Sequence, residues 1–415
     1  MADNIVKSGV AGPAREYWLN ADFDRSLGGL PPLVSSADPT YVHEMAWHFL
    51  FAGEAGDSLL VHRPLPEDFL AYLDSKGLRP PRILLHPAFT RESVFHPFGW
   101  NRQAEELGAR YHHLPSHPAL AAVKQANSRA FSLGLERAGD RDCAATLCGN
   151  TETVAGLLAG RPATEAWLLK GEHGYAGTAN HRLPGGPLGA EDRNRAEAIF
   201  AEHGRAVLEP WHARLLDMAV TFHADPDGSI ADFRGHVLLN SRDGAFLGVQ
   251  INPDRLPPEP WREALMENAA MLAKALASIG YHGPVGIDAY VHKTPDGPRL
   301  RPLVDVNARL SMALPAHGLA RRLPGRHLLW TWTKPRKLRL PADYAALDAA
   351  LGPDAFDPSR GRGILAVSPI RLEEGPRRGP EDSLRPRRVG FALIAPDEAG
   401  LAELREAFSR ALGRS

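Results

Sequence analysis

Short apolar runs alternate with longer stretches of helical periodicity in the first part of the chain. Residues 58–62 and 82–86 are apolar runs that predict strands, and residues 67–76 and 100–107 place apolar side chains on one helical face. An alternation of strands and helices is typical of a parallel sheet covered by helices. The pattern therefore predicts an α/β domain over residues 1–122.

The middle of the chain changes to strands that pair locally, with helices between them. Helical periodicity runs over residues 121–136 and 267–279. Two apolar runs near residue 296 are separated by a Pro-Asp-Gly turn, which predicts that they pair as a hairpin. The predicted strands are 166–170, 206–209, 218–223, 236–240, 285–292 and 300–306. These mixed segments predict an α+β region.

The remaining segment, residues 315–415, ends with a predicted strand over 389–394 and a predicted helix over 398–412. We expect it to pack on the preceding units as an extension. It contains two arginine-rich runs, at 321–339 and 360–388. Such runs are able to close over an anionic substrate, but a solvated surface is the interpretation that we favour.

The composition excludes several classes of function. The 415 residues are 44% hydrophobic, which is enough for several domains with their own cores. The 48 Lys and Arg residues balance 49 Asp and Glu residues, so the net charge of -1 gives no steering toward nucleic acid. No apolar run reaches the length of a transmembrane helix, and the first residues lack the apolar core of a signal peptide. We therefore expect no nucleic-acid or membrane partner.

Cysteine and histidine usage indicates neither a disulfide framework nor a zinc site. The 2 cysteines, Cys143 and Cys148, have a spacing that suits no common metal pair, and the expected compartment is a reducing cytoplasm. His112, His113 and His117 lie in a predicted loop without a fourth ligand at metal spacing. Nothing in these surroundings predicts nucleophilic catalysis.

The last predicted hairpin carries an oxygen-rich set of side chains. Asp305, Asn307 and Arg309 alternate along one strand and therefore share a face, and Asp288 lies on the preceding strand. Two carboxylates and an amide oxygen suit Mg²⁺, whose remaining ligands are substrate phosphates and waters. Arg309 adds paired donors for a phosphate or carboxylate. The alternative interpretation is a solvent-facing hairpin with ordinary charges.

A lysine followed by a glycine-rich loop has the chemistry of a phosphate site. Lys170 ends a predicted strand, and Gly171, Gly174 and Gly177 follow it. Backbone amides in such a loop are able to approach phosphate oxygens closely. The spacing is not that of a P-loop, and a surface turn with an incidental lysine is the alternative.

A third group of residues stands at the end of another strand. Glu209 and Trp211 flank a proline, and the backbone groups that the proline leaves unpaired are available to an adenine edge. Asp217 follows closely and is a candidate partner for ribose hydroxyls. The alternative is an ordinary strand end with a partly buried tryptophan.

In this order, the three groups resemble the ATP-grasp superfamily, which includes D-alanine–D-alanine ligase and biotin carboxylase. The resemblance covers residues 127–312. It implies an ATP-grasp fold with two subdomains, over residues 123–208 and 209–314, which follows a pre-ATP-grasp α/β domain over residues 1–122 and precedes a C-terminal extension over residues 315–415. The extension is faintly similar to the C-terminal part of pheganomycin-type peptide ligases.

The resemblance implies roles for the nucleotide-binding residues by position. Lys170 resembles the strand lysine that contacts adenine and the α-phosphate, and residues 171–177 resemble the lid over the terminal phosphates. Glu209 and Trp211 resemble the hinge whose backbone reads the adenine edge. Asp217 stands where the family has a ribose-binding glutamate. Arg129 stands where a nucleotide-contacting lysine is usual, which keeps the charge and changes the geometry.

The resemblance also implies roles for the hairpin. Asp288, Asp305 and Asn307 resemble the metal ligands, and Arg309 resembles the arginine of the E-x-N-x-R strand in the biotin carboxylase branch, which lies near the reacting anion. Asp305 replaces the usual glutamate and reaches about 1.5 Å less, so the metal position is expected to differ. Gly286 stands where D-alanine–D-alanine ligase has an arginine, which disfavours a closely similar dipeptide ligase.

The implied function is that of an ATP-dependent ligase. Such an enzyme uses ATP and Mg²⁺ to convert a carboxylate into an acyl phosphate, which an amine then converts into an amide or peptide bond. The implied substrates are a small-molecule carboxylate and amine, with an amino acid or peptide among them, and a homodimer is the assembly that we consider. Two alternatives stay open: a small-molecule kinase of the same fold, and a nucleotide-binding protein without turnover. The retained metal set argues against the second alternative.

Overall fold

The computed structural model describes residues 13–30, 40–54, 56–86, 88, 93–110, 114–138, 144–174, 179–241, 244–372 and 385–413. Gly177, Cys143, His112 and His113 lie outside these ranges. Within them the chain forms three sheets.

Apolar residues on short strands form a parallel sheet in the N-terminal part. Its strands are β1 (Arg15–Trp18), β2 (Ser58–Val61), β3 (Arg82–Leu85) and β4 (Val94–Pro97), in the order β3-β2-β1-β4. The helices of this part are α1 (Phe23–Leu27), α2 (Thr40–Trp47), α3 (Glu67–Ser75) and α4 (Arg102–Arg110). The pattern does not predict β1 and β4, because their sequences, REYW and VFHP, contain only two consecutive apolar residues each.

Two helices, α5 (Leu120–Ala126) and α6 (Arg129–Ala138), replace the single helix predicted over 121–136. Asn127 lies at the break. Its Nδ2 donates to the Val123 carbonyl at 2.8 Å, and its Oδ1 accepts from the Ala308 N–H at 2.9 Å. A side chain that bonds to nearby backbone competes with the helix, so the prediction of one continuous helix is wrong here.

A small antiparallel sheet follows. Its strands are β5 (Thr146–Cys148), β6 (Ala166–Gly171), β7 (Asn180–Pro184) and β8 (Ala206–Pro210), in the order β5-β8-β6-β7. Helices α7 (Thr151–Ala159) and α8 (Ala190–His203) accompany it. The strands predicted over 166–170 and 206–209 are confirmed as β6 and β8.

The large sheet has eight strands in the order β13-β12-β9-β10-β11-β14-β16-β15. They are β9 (Arg214–Ala224), β10 (Ile230–Asn240), β11 (Phe246–Ile251), β12 (Gly283–Thr294), β13 (Gly297–Asn307), β14 (His327–Thr333), β15 (Gly363–Ala366) and β16 (Val389–Ala395). The last three strands belong to the predicted extension, and they continue the sheet that contains the β12–β13 hairpin. The predicted hairpin and the strand over 389–394 are confirmed.

Four helices and two short 3-10 turns accompany the large sheet in the described ranges. They are α9 (Arg262–Ser278), α10 (Leu314–Arg322), α11 (Tyr344–Leu351) and α12 (Glu398–Leu412), with the turns at Pro335–Lys337 and Gly352–Asp354. No helix of the described residues is long and apolar enough to cross a membrane.

The sheets divide the buried apolar side chains into separate cores. One core runs from the N-terminal sheet through the large sheet to α12. The small sheet has its own core, which includes Trp167, Leu169 and Leu208 and shares no residue with the first. The small sheet is therefore a separately packed body, while the larger core contains residues from β1 as well as from α12. The residue boundaries of the four predicted segments stay predictions.

We predict that Gly318→Ala lowers the free energy of unfolding by about 1–3 kcal/mol, the usual cost of overpacking. Gly318 lies in α10, where an added Cβ would stand 1.7 Å from the Phe51 carbonyl oxygen. Gly134→Ala in α6 is the matched control, because a Cβ there meets nothing within 4 Å. It should stabilise the protein by roughly 0.5–1 kcal/mol through helix propensity. Denaturant unfolding measures both, and equal effects would contradict the tight contact at Gly318.

Candidate functional site

A cavity of about 690 Å³ lies between the small sheet, the large sheet and the N-terminal part. Each candidate site residue in the described ranges except Gly171 lines it. They are Arg129, Lys170, Gly174, Glu209, Trp211, Asp217, Asp288, Asp305, Asn307 and Arg309. The structure thus brings together side chains that the sequence spreads over almost 200 residues.

The β12–β13 hairpin places its carboxylates side by side. Asp288 and Asp305 are direct partners in the register of the two strands, and Asn307 lies opposite Gly286. The Asn307 Nδ2 donates to the Asp288 Oδ2 at 3.3 Å. Cross-strand partners lie close enough to share a ligand, so two carboxylates and one amide face the same space.

The two carboxyl groups have opposite pKa shifts. Burial, and then the charge of Asp305, raises the pKa of Asp288 to about 6. Burial also favours the neutral form of Asp305, but Lys170 and Arg129 outweigh it and lower the pKa of Asp305 to about 2. Asp305 is therefore a fixed anion, and its repulsion of Asp288 is the kind that a bound cation relieves.

This donor set fits Mg²⁺ only together with other oxygens. Asp288, Asp305 and Asn307 supply two carboxylates and one amide oxygen, and Mg²⁺ completes such sets with phosphate and water oxygens. In the described ranges no group of three or more His, Cys, Asp or Glu side chains is placed to hold a metal ion. These three side chains are therefore suited to bind Mg²⁺ together with phosphate oxygens, and they do not form a complete metal site by themselves.

Lys170 lies at the end of β6, buried between two carboxylates. Its Nζ lies 3.2 Å from the Asp305 Oδ1 and 3.2 Å from the Glu209 Oε1. Glu209 also accepts from the Arg301 Nη1 at 3.0 Å, and Arg301 forms two further bonds to Glu136, at 2.7 and 2.9 Å. Burial opposes ionisation of Glu209, but Lys170 and Arg301 outweigh it, so its pKa is lowered. Lys170 is therefore held extended toward the cavity by ion pairs.

The Glu209 side chain thus has a role that the sequence does not predict. We expected the backbone of the segment to read a ligand, but the buried carboxylate of Glu209 is the counter-ion of Lys170 and Arg301. The Trp211 N–H donates to the Ala166 carbonyl at 2.8 Å. The expectation that the proline leaves this amide free is therefore wrong, because the pairing with β6 continues past it.

Arg129 joins the small sheet to the hairpin. It lies in the first turn of α6, where its Nε donates to the Asp305 Oδ1 at 3.2 Å and its other nitrogens donate to the Gly171 and Gly174 carbonyls. A Cβ at Gly174 would stand 2.8 Å from the Arg129 Nη1, and one at Gly171 would stand 2.4 Å from the His203 ring. Both glycines make room for neighbouring side chains here, in addition to the role predicted for them. Gly177 lies outside the described residues.

Trp211 and Asp217 lie at the side of the cavity formed by β9 and β12. Two guanidinium groups flank the Trp211 ring, Arg182 at 5.1 Å and Arg214 at 4.9 Å from its centre. Arg214 also donates to the Asp217 Oδ1 at 2.8 Å. Arg214 therefore links the Trp211 ring to the Asp217 carboxylate at this side of the cavity.

Arg309 is held by residues from two parts of the chain. Its Nε donates to the Asp24 Oδ1 at 2.9 Å, and its Nη2 donates to the Asn307 Oδ1 at 3.0 Å. Its guanidinium lies 4.8 Å from the centre of the Phe98 ring. Sequence reasoning misses Asp24, because no motif links the N-terminal part to the hairpin. Arg301 could have been found, since it alternates onto the same face of its strand as Asp305.

We predict that Lys170→Ala weakens ATP binding by about 1.5–3 kcal/mol, the range for a hydrogen bond to a charged group. Its neighbours keep their other partners, Arg301 for Glu209 and Arg129 for Asp305, so the fold should persist. Titration calorimetry with a non-hydrolysable ATP analogue measures the change. Lys293→Ala, an exposed lysine of the same hairpin, is the control. Unchanged affinity in Lys170→Ala would mean that this side chain does not face the nucleotide.

Several solved structures are similar to this fold, whereas no family model and no curated protein matches the sequence. An N5-carboxyaminoimidazole ribonucleotide synthetase in complex with ADP is 12% identical, with a TM-score of 0.52 over 98% of this chain and 99% of its own. Biotin carboxylase from Campylobacter jejuni in a complex with an ATP analogue is 17% identical, with a TM-score of 0.53 over 89% of each chain.

A third similar structure is the N5-carboxyaminoimidazole ribonucleotide synthetase from Thermus thermophilus. It is 14% identical, with a TM-score of 0.51 over 90% of this chain and 98% of its own. At these identities the likeness concerns the fold, and the fold that the sequence resemblance implies is confirmed. The chain has the ATP-grasp fold.

Proposed function

We propose that the protein is an ATP-dependent ligase that activates a carboxylate as an acyl phosphate and transfers the acyl group to an amine. The observation that carries this proposal is the pairing of Asp305 with Lys170 and Arg129 across the cavity, beside Asp288 and Arg309. It combines carboxylates suited to a metal–phosphate complex with cations suited to phosphates and a reacting anion. The ADP and ATP-analogue complexes of the similar structures support a nucleotide as the ligand.

Mg²⁺ would be held by Asp288, Asp305 and Asn307, and it would neutralise charge on the terminal phosphates of ATP. Lys170 and Arg129 neutralise Asp305 in the structure. With Asp305 bound to Mg²⁺, Lys170 and Arg129 would be available to phosphate oxygens. Their positions are fixed beforehand by ion pairs and by carbonyl groups of the glycine loop, which lowers the cost of ordering them.

The first step proposed is attack of a substrate carboxylate oxygen on the γ-phosphorus of ATP. The new P–O bond forms while the bond to the β-phosphate oxygen breaks, and ADP leaves with that electron pair. Arg309, oriented by Asp24 and Asn307, offsets the charge of the reacting carboxylate.

In the second step the amine nitrogen attacks the acyl carbon. The C–O bond to the phosphate group breaks, inorganic phosphate leaves, and the amine proton passes to the phosphate. The chain contributes position and charge in both steps, and no side chain acts as a covalent nucleophile.

Hydroxylamine trapping tests the proposal directly. An acyl phosphate reacts with hydroxylamine to give a hydroxamate, whereas a phosphate ester does not. We expect hydroxamate to accumulate only with ATP, Mg²⁺ and a carboxylate substrate, in a screen of pooled amino acids and small peptides with and without a second amine. A stable phosphorylated alcohol, with no hydroxamate from any acid, would replace the proposal with a small-molecule kinase. ATP binding without release of ADP under any condition would favour a protein without turnover.

A further inference from the structure

One wall of the cavity lies away from the phosphate-binding side chains and is apolar. Phe246 and Trp332 meet edge to face with ring centres 5.5 Å apart, and Met45 joins them in lining the cavity. Trp332 lies on β14, and four strands separate β14 from β13 in the sheet order. The apolar wall and the Asp305 side therefore face one shared cavity from different strands of the sheet.

A single cation, Arg388, stands at this apolar wall. It directly precedes β16, whose Gly390 pairs with Trp332, and its side chain lines the cavity. Two neighbouring contacts hold its segment in place. Arg385 donates to the carbonyls of residues 340, 341 and 370, and the Arg387 N–H donates to the Glu44 Oε2 at 2.6 Å. The backbone on the N-terminal side of Arg388 is thus anchored, which fixes where its side chain begins.

In the described part of the chain, Arg388 forms no hydrogen bond or ion pair. Other arginines of the same arginine-rich run have protein partners: Arg360 with Asp357, Arg362 with Asp354, and Arg371 with Asp68. The His48 ring lies beside Trp332, and burial, with a further contribution from Arg388, lowers the pKa of His48 to about 3, so it stays neutral. A half-buried guanidinium for which the described residues supply no counter-ion is suited to bind an anionic ligand.

We propose that Arg388 and the Phe246–Trp332 wall bind the amine substrate, and that this substrate carries its own anionic group beside an apolar side chain, as an apolar amino acid does. The inference rests on the proposed function, in which Arg309 binds the carboxylate that reacts. Arg388 is then available to bind a different anionic group, which we assign to the amine substrate. The anion is a carboxylate or a phosphate-type group, both of which a guanidinium binds through paired donors. The arginine-rich run, for which the sequence favours a solvated surface, then supplies one substrate contact.

Binding of three matched probes to the complete protein tests the proposal. They are L-phenylalanine, its phosphonate analogue 1-amino-2-phenylethylphosphonate, and L-phenylalaninamide, which has the same ring and amine without the anion. Titration calorimetry is performed with a non-hydrolysable ATP analogue and Mg²⁺ present. We expect at least one anionic probe to bind roughly 10- to 100-fold more tightly than the amide, the range for one charged hydrogen bond. The stronger of the two identifies the anion as carboxylate or phosphate-type.

Arg388→Gln should abolish that preference and leave the affinity for the ATP analogue unchanged. Arg410→Gln, on the exposed face of α12, should retain both. Equal binding of the three probes to the wild-type protein would overturn the proposal. So would a preference that survives in Arg388→Gln, or no binding of any probe. The ligase proposal is tested separately by hydroxamate formation in the wild-type protein, so its failure is distinguishable from a failure of the Arg388 proposal.

Discussion

Asp305→Asn should reduce ADP production by roughly 100- to 1000-fold, the scale for losing one charged group that acts on the transition state. Asp305 is the fixed anion of the hairpin, with a pKa lowered to about 2 by Lys170 and Arg129 against the effect of burial. The amide keeps the size of the side chain but removes the charge that a metal–phosphate complex requires. Steady-state ADP release with saturating ATP and Mg²⁺ measures the loss.

The folded structure should survive this substitution. Lys170 keeps Glu209 as a partner, and Arg129 keeps the carbonyls of the glycine loop. Asp296→Asn, at the exposed turn of the same hairpin, is the matched control and should behave as wild type. Near-normal ADP release from a well-folded Asp305→Asn protein would remove Asp305 from the proposed metal site. Asn307→Ala tests the amide in the same way and should also reduce ADP production strongly.

Arg309→Ala should lower hydroxamate formation by about 100-fold or more, the effect of removing one contact to developing charge. The guanidinium of Arg309 has a fixed orientation, because two of its nitrogens donate hydrogen bonds to Asp24 and Asn307. The reduction should appear in turnover at saturating ATP, with little change in the affinity for the ATP analogue, because Lys170 and Arg129 remain. Hydroxamate colorimetry and calorimetry measure the two quantities.

Asp24→Asn distinguishes contact from orientation. It leaves the Arg309 charge in the cavity and weakens only one of the bonds that orient it, so its effect on hydroxamate formation should be smaller than that of Arg309→Ala. If Arg309→Ala forms hydroxamate at the wild-type rate, this arginine does not act on the reacting carboxylate. In that case Arg388 would be the next cation of the cavity to test.

Much of the site could be predicted because strand alternation and motif order are local properties. Asp305 and Asn307 follow a period of two on β13. Arg309 lies past Asn307, the last residue of that strand, so its predicted place on the strand is wrong, although its side chain lines the same cavity. A register shift between Asp288 and Tyr290 brings Asp288 opposite Asp305. The fold followed from the order of the three groups along the chain. What each charged residue pairs with depends instead on tertiary packing, so Glu209 as the counter-ion of Lys170 was not accessible from the sequence.

The parts that could not be predicted come from distant segments. Asp24 reaches Arg309 across 285 residues, and the strands of the extension join a sheet that begins at Arg214. Which sheet edge the strands of the extension join depends on the tertiary structure, and the hydrophobic periodicity of a strand does not predict its partner. The helix break at Asn127 was predictable only in part. Asparagine disfavours a helix, but the bond of its side chain to the Ala308 N–H exists only in the folded protein.

Because the small sheet keeps its apolar side chains in a core of its own, charged pairs such as Lys170–Asp305 and Glu209–Arg301 connect it to the large sheet. A body with a separate core opens as a cooperative unit of its own, at a cost below that of global unfolding. Its backbone amides should therefore exchange hydrogen with solvent through a partial opening that leaves the larger core closed. A nucleotide that touches both sheets raises the cost of that opening by mass action. Ligand binding would thereby merge two units of unfolding into one.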